Sequence, residues 1–355
     1  MSESDYKESF INSPSTKWTE GYGKDSDIII SSRIRLARNL AETPFPQNSK
    51  PEAAKKIIQK VDEALSQSAK KQYEMLYMED LQELERDMLV EKHLISPALA
   101  KKNTAGVSIR NDEGVAVMVN EEDHLRIQCF MPALQLEEAW NLANKVDNLL
   151  AEKLNFAYHE HLGYLTACPT NTGTGLRASV MLHLPLLTLS QEIKGIFAKV
   201  GKLGLAVRGI YGEESEIVGN LYQISNQVTL GLSEEEIISN LSDVVGQIIA
   251  LERKARENME KQYSRTIYDK VWRSYGIMHY AQSMSSVEML SQISYLRLGM
   301  DMGILPNLSA RFLNEMMVLG QPAFLQKQSG KPLLPEERDW ERASMIRKKM
   351  QELER

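Results

Sequence analysis

The sequence predicts a mixed α and β part followed by a wholly helical one. Three observations carry this. Between residues 27 and 208, short stretches that alternate apolar and polar are separated by stretches with helical spacing. From Ser233 onward only the helical spacing remains. Ten of the 17 methionines lie beyond residue 255, and flexible thioethers on helices suit adaptable packing and contact surfaces.

Taken in order, residues 1–25 are rich in Ser, Lys, Glu and Gly and are expected to form a flexible N-terminal arm. Asp27–Leu36 is a β-branched run, DIIISSRIRL, in which Arg33 and Arg35 project from one face of a strand. Paired guanidiniums on a rigid face suit phosphate oxygens, because each fork donates two parallel charge-assisted hydrogen bonds. A stripe at Ala54, Ile57, Ile58, Val61, Ala64 and Leu65 predicts a helix over 51–69, and a second helix is expected over Glu79–Lys92. The period then drops to two. Gly106–Arg110 and Val115–Val119 flank the turn Asn111-Asp112-Glu113-Gly114 as a hairpin. Glu121, Glu122 and Asp123 precede an alternating strand with Leu125, Ile127 and Cys129 inward and His124, Arg126 and Gln128 outward. Such acids form either an exposed turn or a carboxylate base beside a phosphate-binding arginine. Leu136–Leu154 reads as a helix, with short strands near Phe156–Tyr158 and Leu162–Thr166. His159-Glu160-His161 lacks a third spaced ligand, which favours a solvated turn over a metal site.

Residues 163–184 are the most informative stretch. A cysteine followed by proline, Cys168-Pro169, opens a Thr/Asn/Gly-rich turn that closes on a strand. There Ala178, Val180, Leu182 and Leu184 point one way and Arg177, Ser179, Met181 and His183 the other. Gln191–Val200 is expected to be helical and Leu205–Val207 to be a strand running into RGIYGEESE. Ser233 with Glu236 makes a capping-box pattern, and Ser285 with Glu288 another. Gly320 and Pro322 close the helix that follows Ser309, and Pro335 opens the last one.

Composition limits the function. A length of 355 residues suggests two domains, and 43% hydrophobic residues can fill real cores. A net charge of −6 and a pI near 5.7 argue against a general nucleic-acid or membrane binder. Cys129 and Cys168 make no disulfide framework, which fits a reducing cytoplasm. The polar N-terminus has no signal-peptide pattern, and no apolar run is long enough to span a bilayer. Arg33, Arg35, Arg126, Arg177 and Arg208 each sit at or beside a predicted strand, next to Ser, Thr or Gly in most cases. There is no Walker lysine loop and no protein-kinase signature set. An arginine clamp binding a triphosphate is therefore the reading of these residues, with Mg²⁺ offsetting part of the charge.

SSRIR, NEEDHLR, CPTNTGTGLRASV and RGIYGEESE, in this order, resemble the ATP:guanido phosphotransferase (phosphagen kinase) family over roughly residues 25–235. KHLISPALA at 92–100 and RDWERA at 338–343 fit the bacterial branch that acts on arginine in proteins. The resemblance implies an α+β fold, an antiparallel sheet flanked by helices (the guanidino-kinase catalytic fold), followed by an all-helical C-terminal domain. It divides the chain into the arm at 1–25, a catalytic domain at 26–250 and a helical domain at 251–355 for dimerisation and phosphoarginine binding. It assigns ATP to Ser31, Ser32, Arg33, Ile34, Arg35, His93, Arg126, Arg177, Ala178, Ser179, Val180, Met181, Arg208, Gly209, Ile210, Tyr211, Gly212 and Glu213. Glu122, Glu213 and Cys168 would face the substrate guanidinium, and Arg338, Asp339 and Arg342 would bind phosphoarginine. Small-guanidine kinases commonly have a histidine where Met181 stands, so adenine packing there should be more apolar. Mg²⁺ would arrive on ATP, with no separate protein metal site.

The resemblance further implies a homodimer, a zinc-binding activator protein, a stress-gene repressor as target and delivery to a Clp protease. No direct contact with membrane or nucleic acid is expected. Small-guanidine kinases carry a helical domain ahead of the first arginine motif, which here begins at Ser31. That favours arginine on a polypeptide over a free-arginine or small-guanidine kinase. The other alternative is a non-catalytic phosphoarginine-binding adaptor, which Glu122, Glu213 and the five arginines argue against.

Overall fold

The computed structural model describes residues 9–68, 72–209 and 218–353. Its strands are β1 (Ile29–Arg38), β2 (Tyr73–Tyr77), β3 (Gly106–Arg110), β4 (Val115–Val119), β5 (Leu125–Pro132), β6 (Tyr158–His159), β7 (Gly163–Tyr164), β8 (Leu176–His183), β9 (Leu205–Gly209) and β10 (Leu221–Asn226). The helices are α1 (Pro51–Ser68), α2 (Glu83–Glu91), α3 (Pro97–Ala100), α4 (Leu136–Ala151), α5 (Pro185–Leu189), α6 (Ile193–Lys202), α7 (Glu234–Tyr280), α8 (Ser286–Asp301), α9 (Ala310–Leu319), α10 (Pro322–Ser329) and α11 (Pro335–Glu352).

Eight strands form one antiparallel sheet in the order β2-β3-β4-β5-β1-β8-β10-β9, and β6 and β7 form a small separate hairpin. The β1 strand sits between β5 and β8, which sets Arg33 opposite Ser179 and Arg35 opposite Arg177. Alternation sorts the two faces. Ile34, Leu36, Ala178, Val180 and Ile127 are fully buried on one face, with α4 and its buried Ala139, Ala143 and Leu150 packed on β1 and β5 and with α7 packed on β8. The arginines occupy the other face, and the chain must build a rim around them.

That rim corrects the expectation of a flexible arm. Residues 9–25 do not form a loose arm: Phe10, Ile11 and Trp18 are at most 4% exposed and pack into the core. Burying an indole requires a partner for its N–H, and Trp18 Nε1 donates to Lys92 O at 3.1 Å. The Lys92 ammonium, itself buried, donates to Phe10 O at 2.7 Å and pairs with Glu113 at 2.7 Å. Apolar residues spaced through a polar stretch were enough to dock it.

The boundary expected at 250/251 falls inside α7, an unbroken 47-residue helix capped by Ser233 with Glu236 as the sequence predicts. The helical region also shares the sheet's core. Arg297 donates to Ser26 O at 2.8 Å and to Asn314 Oδ1 at 2.9 Å, and His183 Nε2 bonds Ser294 Oγ at 2.7 Å. His124, expected outward, is buried, with Nδ1 accepting from Leu40 N at 3.1 Å. The second helix begins at Glu83 rather than Glu79, because Gln82 caps it and Glu85 accepts back from Gln82 N.

Gly173 fixes the loop that leads into β8. Its φ of +116° lies outside the range of L side chains, and an added Cβ would stand 2.1 Å from Thr229 O. Gly173→Ala should therefore destabilise the protein by roughly 2–4 kcal/mol in denaturant titration. Gly195→Ala, with nothing within 4 Å in α6, should shift stability by at most about 1 kcal/mol, upward. Equal midpoints for the two variants would remove the argument for a steric lock at Gly173.

Candidate active site

The polar sheet face opens into a cleft of about 420 Å³ lined by Arg33, Arg35, Arg126 and Arg208, with Trp18, His93, Gln128 and Gly209. Arg177 lies beside them, directly across from Arg35. Neutral groups steer these side chains. Arg33 donates to Ser179 Oγ at 3.3 Å and Gln223 Oε1 at 2.9 Å, and Arg177 donates to Ser225 Oγ at 3.1 Å. Arg35 Nε is buried with no hydrogen-bond partner among the described residues. Burial, then the charges of Arg177 and Arg126, push Arg33 down to about 10. Arg35 falls well below the usual guanidinium range, through burial first and then Arg33, Arg126 and Arg177, with Glu121 opposing. Like charges held this close in partial burial call for a polyanion.

An adjoining smaller cavity is lined by Trp18, Ile30, Ser31, Phe130, Ser179, Met181 and Met317 together with His93. It is mostly apolar, as Met181 suggests. His93 packs 5.6 Å from Trp18 and is held down to about 4 by burial and by Arg33, so it is neutral near pH 7. Its φ of +63° turns it toward the cleft.

The three consecutive acids do three different things. Glu121 is buried and holds Arg126 Nη1 at 2.6 Å, while also accepting from Ser96 Oγ. Glu122 is half-exposed, with Oε2 3.4 Å from Arg126 Nη2. Asp123 is buried and accepts from Asn39 Nδ2 at 2.6 Å and from Ala167 N at 2.7 Å. That last bond ties the cysteine loop to the end of β5, next to Glu122. In the loop, Cys168 Sγ lies 3.0 Å from Thr170 Oγ1, and Thr229 Oγ1 donates to Thr170 O and Thr172 O. Glu121 and Asp123 had a signal in the sequence as part of NEED, but nothing in it separated their tasks. Arg38 is also distinct from its neighbours. It is buried against Asp147 at 2.8 Å and over the Tyr164 ring at 3.5 Å, a strut rather than part of the clamp.

Several expected residues do not reach the cleft. Ser32, Ile34, Ala178 and Val180 are 0% exposed on the opposite face, because strand alternation turns them into the core. Ser32 Oγ instead donates to Ala133 O and accepts from Gln135 N. Ile210, Tyr211, Gly212 and Glu213 lie outside the described residues. In the last helix Arg342 is 2% exposed, donating to Gly320 O and Met284 O at 2.7 Å and to Asp339 at 2.6 Å. It is a strut for the helix junction, so of the three expected phosphoarginine-binding residues Arg338 and Asp339, both half-buried, are the two that retain access to solvent.

Residues 56–255 match the family model of the ATP:guanido phosphotransferase C-terminal catalytic domain. The chain belongs to the ATP:guanido phosphotransferase family. Residues 264–355 match the protein-arginine kinase McsB C-terminal domain. The protein-arginine kinase of Halothermothrix orenii is 50% identical over 96% of this chain and 98% of its own. That of Bacillus subtilis is 47% identical over 96% and 95%. Among solved structures, lombricine kinase aligns with a TM-score of 0.59 at 25% identity, over 68% of this chain and 71% of its own. The duplicated taurocyamine kinase of Schistosoma mansoni, at 23% identity and a TM-score of 0.60 over 81% and 43%, shares the fold. The chain is thus an ATP-dependent phosphotransferase with an antiparallel sheet, flanking helices and a helical C-terminal region.

The crowded guanidiniums make a sharp test. Arg35→Met keeps the length of the side chain and removes a charge facing Arg177. The nucleotide-free protein should gain up to about 1 kcal/mol in thermal unfolding, while ATP affinity by calorimetry falls roughly ten- to a hundredfold. A variant that loses stability along with affinity would show that Arg35 is not under repulsion.

Proposed function

We propose that this protein transfers the γ-phosphate of ATP to arginine guanidinium groups of proteins. The observation that carries the reading is the half-exposed Glu122 at the edge of the arginine clamp, with Asp123 tying the Cys168 loop beside it. A guanidinium keeps its proton up to a pKa of about 12 or more and is a poor nucleophile until it loses one. Glu122 would take that proton as the N–P bond forms and the bond to the ADP oxygen breaks. Glu213 would hold the other edge of the planar group. Cys168, beside the Thr170 hydroxyl, would favour the substrate cation as a thiolate rather than act as a covalent nucleophile. Arg33, Arg35, Arg126, Arg177 and Arg208 would neutralise the phosphates, with Ser31, Ser179 and Met181 lining the approach to the base. Mg²⁺ carried on the nucleotide would spread charge away from the transferring group. Among the described residues no group of three or more His, Cys, Asp or Glu side chains could hold a metal ion.

A polypeptide substrate is supported by the resemblance of residues 264–355 to the protein-arginine kinase C-terminal domain and by the names of the relatives. The same resemblance supports a cytoplasmic homodimer assembled through 251–355. It also supports regulation by a zinc-binding activator, a stress-gene repressor among the substrates and hand-over of marked proteins to a Clp protease.

Radiolabelled ATP offered with a protein or with free arginine decides between the substrates. The label should enter protein and be lost in acid, as P–N bonds are, whereas phosphoserine persists. Glu122→Gln should lower turnover by about two to four orders of magnitude with nucleotide binding intact. Transfer to free arginine alone, or near-normal turnover of the folded variant, would overturn the substrate or the base respectively.

We also propose that Arg338 and Asp339 bind phosphorylated arginine, with Arg342 holding Asp339 in place. A cation for the phosphate and a carboxylate for the N–H groups together complement both ends of that side chain. Arg338→Ala with Asp339→Ala should abolish the calorimetric binding of phosphoarginine. Unchanged affinity would leave the motif as a salt-bridged helix face.

A further inference from the structure

One wall of the cleft is not made by the catalytic sheet. Met317 and Val318 on α9, Gln321 in the turn before α10 and Leu290 on α8 line it, together with Glu91 at the end of α2. The Glu91 carboxylate reaches across to the start of α10. Its Oε1 accepts from Ala323 N at 2.8 Å and its Oε2 from Phe324 N at 3.2 Å. Ala323 and Phe324 are at most 2% exposed, so water does not replace these bonds. On the other side of the same turn, Gly320 O accepts from the buried Arg342 at 2.7 Å. A Cβ on Gly320 would meet Met289 Sδ at 2.1 Å, so the Met289 side chain packs directly on the turn. The turn is therefore pinned from two directions, by the sheet part through Glu91 and by the RDWERA helix through Arg342.

We propose that Glu91 is a positioning residue for the nucleotide: its carboxylate holds the α9–α10 turn as a wall of the cleft, and Gly320 and Arg342 join that wall to the RDWERA helix. This rests on reading the cleft as the nucleotide site. A carboxylate suits the task because both of its oxygens accept. When it is protonated, one oxygen becomes a donor and one N–H of α10 loses its partner.

The charge state of Glu91 is poised to matter. Burial pushes its carboxyl up to about 7, the backbone N–H groups of Ala323 and Phe324 oppose this, Asp87 adds to it and Arg342 opposes it. The other charged groups on the cleft are Arg33, Arg35, Arg126 and Arg208, and His93 is already neutral near pH 7. The wall should loosen as pH falls through about 7. Overall stability runs the other way. A carboxyl raised above its unfolded value contributes stability that is fully present in acid and lost as pH rises through the folded value.

ATP affinity measured from pH 6 to 8.5 tests this, with Mg²⁺ present. For the unaltered protein it should fall roughly fivefold as pH drops through 7. Glu91→Gln, which mimics the protonated group, should stay at the low-pH level throughout, with the loss appearing in KM rather than kcat. Its thermal midpoint at pH 8 should be no lower than that of the parent, an outcome that a merely structural role would not produce. Glu91→Asp keeps the charge and should restore the pH dependence. Glu113, behind Lys92, is also raised to about 7, so the profile is read as the difference between parent and Glu91→Gln. If Arg126→Ala loses ATP while Glu91→Gln follows the parent profile, the role of Glu91 is overturned and the cleft stands. If Arg126→Ala binds ATP normally, the cleft itself is not the nucleotide site.

Discussion

The structure depends on holding several guanidiniums close together with few carboxylates between them. Arg35 and Arg177 stand directly opposite on adjacent strands, and burial, then the charges of Arg33, Arg126 and Arg177, hold the Arg35 guanidinium well below its usual range. Left alone, such a face would splay. It is held by what lies behind it: β1 pairs with β5 and with β8, with one irregularity between Ile29 and Ser31, and their reverse face is buried against α4 and α7. The repulsion thus becomes stored binding potential for a phosphate chain, since a preorganised site has no reorganisation to undergo when the ligand arrives.

The second constraint is the division of labour in NEED. A single turn delivers one carboxylate to brace Arg126, one to stand half-exposed at the cleft edge and one to anchor the cysteine loop. Because all three leave from consecutive residues, the clamp and the loop that carries Cys168 cannot drift apart without breaking the turn. This explains why Gly173 and Thr229, far from the phosphates, belong to the same unit: they fix the other end of that loop.

The third is that the helical region is not an appendage. The core runs from Phe10 to Met350, α7 passes through the expected boundary unbroken, and residues of α8 and α9 complete the cleft. Trp18, from the supposed arm, lines both cavities and touches His93. The C-terminal helices thus touch the cleft directly, through Leu290, Met317 and Val318, and through the hydrogen bonds of Glu91 and Arg342.

Much of this was legible in the sequence for a local reason. Side-chain period, caps and turn residues act over fewer than ten positions, so the alternation of RIR and RASVM and the Ser233 cap were readable. The same alternation, applied strictly, removes Ser32, Ile34, Ala178 and Val180 from the nucleotide side. What the sequence could not decide are pairings between distant segments. Lys92 with Glu113 and Phe10, Arg342 with Gly320 and Met284, and Glu91 with α10 join residues with no local relation. An arginine that binds phosphate and one that braces carbonyls look alike in a sequence. Tertiary structure decides between Arg35 and Arg342, because only there does one guanidinium meet a polar cleft and the other a buried helix junction.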